Sequence, residues 1–142
     1  MAPEETFDVE ASTPVDPGQT LLVGLSAPGM AGLTAAESLV RTQDAEAFGH
    51  VSPESLPAIT PVEGGVPRHH TRLFNLTDVD LTVLVGEMFV PVWAARSFAD
   101  AILDWVETVS IEEITVLHGV PFPHGPEDHR VYQVATEDYR ER

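Results

Sequence analysis

The stretch LLVGLSAPGMAGLTAAESLV, residues 21–40, decides how this chain is read. It runs from an apolar strand, through a loop holding Gly24, Pro28, Gly29 and Gly32, into an Ala-rich helix. Strand, glycine turn and helix are the parts of a phosphate site, where N–H groups at a helix N-terminus converge on an anion. They are equally the parts of a tight turn that lets a helix lie close on a sheet. A P-loop needs a lysine that reaches the phosphates, and this chain has no lysine. The dinucleotide pattern G-x-G-x-x-G fails too, since Gly24 and Gly29 stand five apart. The structural reading is preferred: Gly29 and Gly32 let the helix start and approach the strand. Ala31, Ala35 and Ser38 recur at helical spacing and leave one helix face thin enough for that approach.

The 142 residues suit one domain with a real core, and 43% of them are apolar. No run of 18 uncharged apolar residues exists, so no membrane-spanning helix is expected. The acidic opening MAPEETFDVEASTPVDPGQT has neither a basic start nor an apolar centre, unlike a secretory signal. There is no cysteine, hence no disulfide and no thiolate ligand or nucleophile. A cytoplasmic protein is the simplest expectation. Twenty-three acids face seven bases, all of them arginine, for a net charge of −16. Such a surface repels nucleic acid and anionic membranes. At about 1 M salt the Debye length is only about 3 Å, which removes most of the self-repulsion. An acid-rich chain without lysine therefore reads as adapted to a salt-filled cytoplasm, as in halophilic archaea.

Residues 1–19, with Pro3, Pro14, Pro17 and Gly18 among acids, read as a flexible acidic tail, in which residues 6–9 can add an edge strand. A single α/β domain is expected over residues 20–138, and residues 139–142 form a charged tail. Apolar runs predict strands at 20–26, 47–52, 79–87 and 111–120. Residues 57–76 predict a hairpin with arms 59–63 and 68–76 around Gly64-Gly65; Pro61 and Pro67 place it at an edge. A final strand is expected over 130–138. Helices are expected at 30–43 and 91–109, the second opened by Pro91. Its apolar stripe is Val92, Ala95, Phe98, Ala99, Ile102, Trp105, Val106 and Val109. Strands alternating with amphipathic helices mean α/β with a mixed or mostly parallel sheet. Two helices are few for two sheet faces, so a further cover is expected, most simply another chain.

Two blocks together resemble one family. In GLSAPGMAGLTAAESLV, Gly24, Pro28, Gly29, Gly32, Ala35, Ala36 and Glu37 resemble the opening of the proteasome assembly chaperone family. In GEMFVPVWAARSFADAILDWVETVSIEEITVLHGVPFP, Glu87, Pro91, Asp104, Trp105, Gly119, Val120, Pro121 and Pro123 match its second block, and VYQVAT (131–136) continues the likeness. The resemblance covers about residues 20–137 in one order. It implies a three-layer α/β/α sandwich related to nucleoside-phosphorylase folds, oligomerisation, and binding to proteasome α-subunits before their ring closes. Members usually continue for about another hundred residues, so this chain resembles a half-length member. Some archaeal members end in hydrophobic-Tyr-any; here Tyr139 is fourth from the end, which departs from that docking tail.

Little reactive chemistry accompanies this. His69-His70 on a strand would point to opposite faces, and the spacing of His118, His124 and His129 is not a metal signature. Ser26 lacks the G-x-S-x-G elbow of a hydrolase. Glu87 ends a buried strand, where ligands sit in open α/β sheets, and pairs on paper with Glu37. The plainer reading is that Glu87 caps the loop or helix after it. Gly29, Gly32, Glu37 and Glu87 remain the candidate ligand crevice. Met88, Phe89 and Trp93 cluster before the second helix: exposed they form a partner-binding patch, buried they are packing. The expectation is a protein-binding chaperone rather than an enzyme. It has no catalytic residue, metal or cofactor, and its partners are proteasome α-subunits or a second copy of itself. The alternative is a small-molecule or anion-binding protein, or an enzyme, using the glycine-turn crevice.

Overall fold

A computed structural model describes residues 4–12, 16–57 and 59–142. Eight strands and three helices follow one another as β1 (Phe7–Ala11), β2 (Thr20–Leu25), α1 (Ala31–Thr42), β3 (Ala45–Pro53), β4 (Val62–Glu63), β5 (Val66–Pro67), β6 (Thr71–Leu76), β7 (Leu81–Gly86), α2 (Ala95–Glu107), β8 (Glu113–Leu117) and α3 (Glu137–Arg140). Six strands form one mixed sheet in the order β1-β3-β6-β7-β2-β8. The β7-β2-β8 half is parallel, and β1-β3-β6-β7 is antiparallel.

The helices α1 and α2 cover opposite faces, which gives three layers. On one face Leu33 and Ala36 of α1 meet Phe74, Leu76, Val83 and Val85. On the other Phe98, Ile102 and Trp105 of α2 meet Phe7, Leu21, Val23, Phe48, Leu73 and Leu84. Alternation along each strand makes this division: Leu21 and Val23 point one way, Leu22 and Gly24 the other. Phe7 and Phe98 meet edge to face with ring centres 5.2 Å apart, so the N-terminal strand helps seat α2.

The glycine stretch is a close-approach turn. A Cβ on Gly24 would run into the Gly32 carbonyl and Ala36 Cβ, and one on Gly32 into the Leu117 carbonyl. Gly29 (φ 82°) and Met30 (φ 54°) make the left-handed turn into α1. Fully buried Ala36 continues the thin face, and α1 touches β2, β7 and β8; Ala31 and Ser38, expected on that face, are exposed, because the approach runs through Gly32 and Ala36 instead.

Several expectations need correction. Of the segment read as a flexible tail, the described residues are tied down. β1 pairs antiparallel with β3, and buried Glu5 accepts hydrogen bonds from the N–H groups of Ser55 (2.9 Å) and Leu56 (3.2 Å). Pro3 and Pro14 lie outside the described residues. The expected hairpin is only the ribbon β4-β5, turning at Gly64 (φ 58°) and Gly65 (φ 82°). Its expected second arm is β6, which pairs with β3 and β7 because Leu73, Phe74 and Leu76 are core residues. Residues 130–138 are not a strand: Val131 and Val134 are essentially fully exposed and enter no ladder. The second helix is α-helical only from Ala95. A 3-10 turn at Val92–Ala94 precedes it and swings Val92 into solvent, out of the expected stripe.

The two glycines of the turn should separate sharply in stability. Gly29→Ala meets no neighbour but must hold positive φ, and is expected to cost about 1 kcal/mol. Gly32→Ala must push α1 off β8 and is expected to cost on the order of 3 kcal/mol. Urea unfolding of both variants measures the difference.

Candidate functional site

The chain ends of the sheet gather two unlike surfaces. The first is ionic. Glu87 follows β7 directly, and its backbone N–H donates to the His70 carbonyl at 2.9 Å. The Arg68 guanidinium, just beyond β5, binds the Glu87 carboxylate as a fork: Nη2 donates to Oε1 at 2.9 Å and Nη1 to Oε2. Arg68 Nε also lies 2.9 Å from Glu63 Oε2. The Arg68 hydrogen bond holds the Glu87 carboxyl below its ordinary value, against the opposing effect of burial. The same bond raises Arg68. Glu37 of α1 lies near Glu87 and pairs with Arg41 at 3.8 Å.

The neighbouring bases are arranged by β6. Arg72 lies over the Phe74 ring, 5.0 Å from its centre, and burial lowers its basicity. His70 is buried with Nδ1 2.8 Å from Thr71 Oγ1, and burial pushes its pKa down. His50 and His69 stack with ring centres 3.5 Å apart.

The structure thus brings Glu37 and Glu87 together, in keeping with their expected places at the strand ends. It also gives Glu87 a bidentate cation, so the group is held ionised and occupied. A carboxylate in that state pins the β4-β5 ribbon to the sheet end and is a poor proton acceptor. Gly29 is open to solvent and Gly32 is filled by β8, so neither forms a cradle wall. His118 lines a different pocket from His124 and His129, whose rings are 4.8 Å apart.

The second surface is apolar. A groove of about 600 Å³ lies beside α2, over the part of the sheet that α2 leaves bare. Val23 and Leu25 form its floor, Ile114 and Val116 of β8 one wall, Phe98 and Ile102 the other, and Phe89 its rim. Phe89 is 61% exposed and Trp93 53%, whereas Met88 is 5% exposed and belongs to the core. Met88 therefore leaves the expected partner-binding set: it turns inward after Glu87, against Phe98 and its neighbours. Val92, Leu103 and Val116 join the exposed apolar surface without having stood out as candidates in the sequence. The one signal for Val92 is the width of the α2 stripe, which includes Ala95 and Ala99 and exceeds the span that one sheet face can bury; Leu103 and Val116 have none. No helix among the described residues is long and apolar enough to cross a membrane.

The sequence profile of the PAC2 family matches residues 21–142. No curated protein sequence gives a match. Among solved structures the fold is similar to Pyrococcus furiosus PbaA, an archaeal homolog of proteasome-assembly chaperone. That likeness has a TM-score of 0.69 and 20% identity, over 82% of this chain and 48% of that one. A Thermoplasma acidophilum protein of unknown function is similar with TM-score 0.68 and 22% identity, over 80% and 46%. Pyrococcus furiosus PbaB, an archaeal proteasome activator, is similar with TM-score 0.64 and 22% identity, over 86% and 55%. The chain spans about half the length of these structures.

The ion pair carries a pH signature. Arg68 stabilises ionised Glu87 in the native state only, so the stability it contributes is whole above the ordinary value of 4.5. It is lost as pH falls through the lower native value. Glu87→Gln is expected to cost about 2 kcal/mol at pH 7. The difference from the unchanged protein should shrink on acidification below pH 4.5, as followed by urea unfolding across pH.

Proposed function

The chain belongs to the PAC2 family, and from that premise we propose that it acts by binding, as a chaperone assisting assembly of the proteasome. The observation that carries this reading is the apolar groove beside α2, which Phe89 and Val92 line while standing exposed, with exposed Trp93 next to Val92 in the chain. In an acidic chain of net charge −16, an apolar surface of this extent is where a protein partner gains most by association. The resemblance in sequence, and the likeness to a proteasome-assembly chaperone homolog and a proteasome activator, support proteasome α-subunits as that partner.

The mechanism is shielding. The groove covers an apolar segment of a subunit until the correct neighbour buries it more completely. Displacement requires the chaperone interface to be weaker than the final one, which suits a single groove rather than a broad flat contact. Phe89 and Trp93 are the anchors, since half-exposed aromatics contribute most per residue when desolvated. The acid-rich, lysine-free surface supports a salt-filled archaeal cytoplasm as the working environment. The rival reading, a ligand crevice at Gly29, Gly32, Glu37 and Glu87, is weakened by the Arg68 fork that already occupies Glu87.

Capture of purified proteasome α-subunits at about 1 M salt should be weakened about tenfold or more by Trp93→Ala and by Phe89→Ala, with circular dichroism unchanged. Equal capture by the unchanged protein and both variants would sink the groove as the binding surface. A thermal shift with ATP or phosphate that Glu87→Gln abolishes would favour the crevice instead.

A further inference from the structure

The chain is short of positive charge, and the little it has is unevenly placed. Of its seven arginines, Arg41, Arg68 and Arg96 pair with carboxylates, and Arg130, Arg140 and Arg142 stand exposed. Arg72 fits neither group. It is half-buried, and no carboxylate among the described residues forms an ion pair with it. Its Nε is buried without a hydrogen-bond partner among those residues. Burial first, and then the charge of Arg68, disfavour its charged form. A guanidinium left in that state destabilises the fold unless something satisfies it.

The sheet register gathers other donors beside it. Glu10 of β1 pairs with His50 of β3, and His50 with Arg72 of β6, so the three form one row across the sheet. Arg72 shares its face with Phe74, which packs with α1, so the row lies on the face opposite the apolar groove. A cavity of about 740 Å³ covers this row, lined by Arg72, His50, His69, Arg68 and Glu10. Small-molecule sites have volumes of about 300–1,000 Å³. The Phe74 ring supports the Arg72 guanidinium from one side, 5.0 Å from its centre. A guanidinium stacked on a ring keeps its in-plane N–H donors for a ligand. The neighbouring carboxylates are engaged elsewhere: Glu63 and Glu87 hold Arg68, Glu37 holds Arg41, and Glu10 lies 3.5 Å from His50 Nε2 with its side chain mostly in solvent.

We propose that this cavity binds a phosphate group, free or on a small monoester, with Arg72 as its anchor and the His50 and His69 imidazoles as further N–H donors. The donors line one cavity from β3, from β6 and from the segment between β5 and β6. Donors so distributed suit a tetrahedral oxyanion with three or more acceptor oxygens better than a planar carboxylate with two. Arg68 adds positive field while its own hydrogen bonds stay on Glu87. In a chain of net charge −16, this local reversal of sign is where an anion is held. The site uses neither the groove nor Gly29 and Gly32, and it is measured without any proteasome component.

Calorimetric titration of the full chain with millimolar inorganic phosphate should show saturable binding, tested at about 0.15 M and about 1 M KCl so that repulsion by distant carboxylates is screened in one arm. Arg72→Met should weaken it about tenfold or more, through loss of hydrogen bonds from a charged donor. His69→Ala, at an exposed position, should weaken it in the same direction. Without phosphate, Arg72→Met should be at least as stable to urea as the unchanged protein, since Met keeps contact with Phe74 and removes a half-buried charge. Methyl phosphate binding more tightly than inorganic phosphate would support the site and identify a monoester; the reverse order would support it and identify the free ion. Acetate should bind more weakly than either. Gly29→Asp, Glu87→Gln and Trp93→Ala should not weaken the binding, which separates this site from the glycine-turn crevice and from the groove. Absence of saturable binding at both salt concentrations would overturn the proposal, as would binding that survives Arg72→Met or is abolished by Gly29→Asp or Glu87→Gln. Marked destabilisation by Arg72→Met in phosphate-free buffer would make Arg72 a structural residue and overturn it too.

Discussion

The close seating of α1 on the parallel strands is the constraint on which the other features depend. Gly24 on β2, Gly32 and Ala36 on α1, and the Leu117 carbonyl at the end of β8 meet where no side chain fits. A helix held that near the sheet fixes the spacing of one whole layer. It also fixes where β2 and β8 end, beside the end of β7 from which the loop carrying Glu87 and Phe89 begins. Small residues are needed here for distance, and positive φ is needed only at the turn itself, at Gly29 and Met30. Gly24 and Gly32, which look like parts of a phosphate cradle in one dimension, are met by backbone in three, while Gly29 faces solvent.

The two faces of the sheet are finished unequally. On the α1 face, charge closes the end of the sheet: Arg68 forks onto Glu87, burial disfavours the charged form of His70, and the β4-β5 ribbon is pinned in place. On the α2 face the helix leans toward β1, where Phe7 packs on Phe98, and Leu25 at the end of β2 and Ile114 and Val116 of β8 stay partly uncovered. An apolar groove is the result of that lean. The Arg68–Glu87 end of the sheet is thus satisfied internally, and the other face exposes an apolar groove. That division explains why the ionic cluster is structural while the groove carries the functional reading.

Residues with strong periodicity are legible from sequence. β2, α1, β7 and α2 lie where apolar runs or 3.6-residue stripes place them, because each buries a face that only one secondary structure can present. The 57–76 hairpin differs because Gly64-Gly65 is a true turn signal, but a local one. It closes a two-residue ribbon, and the β6 strand beyond it is claimed by β3 and β7 for its core residues. Residues 130–138 alternate as a strand should, yet alternation supplies no neighbour, and the segment stands exposed. Met88, Phe89 and Trp93 form one cluster in the chain, but the turn at Glu87 sends Met88 inward and leaves the aromatics outside.

By itself, the amino-acid order determined the fold class, the glycine turn, the absence of a lysine-based phosphate site and the acidic surface, since these depend on local pattern and composition. Which strands are neighbours, that Arg68 occupies Glu87, and that the α2 stripe is wider than its cover were decided only in tertiary structure. Each depends on groups far apart in the chain meeting across a sheet. Pairing of that kind is set by competition among all the strands for buried area and partners, and no single stretch of sequence contains it.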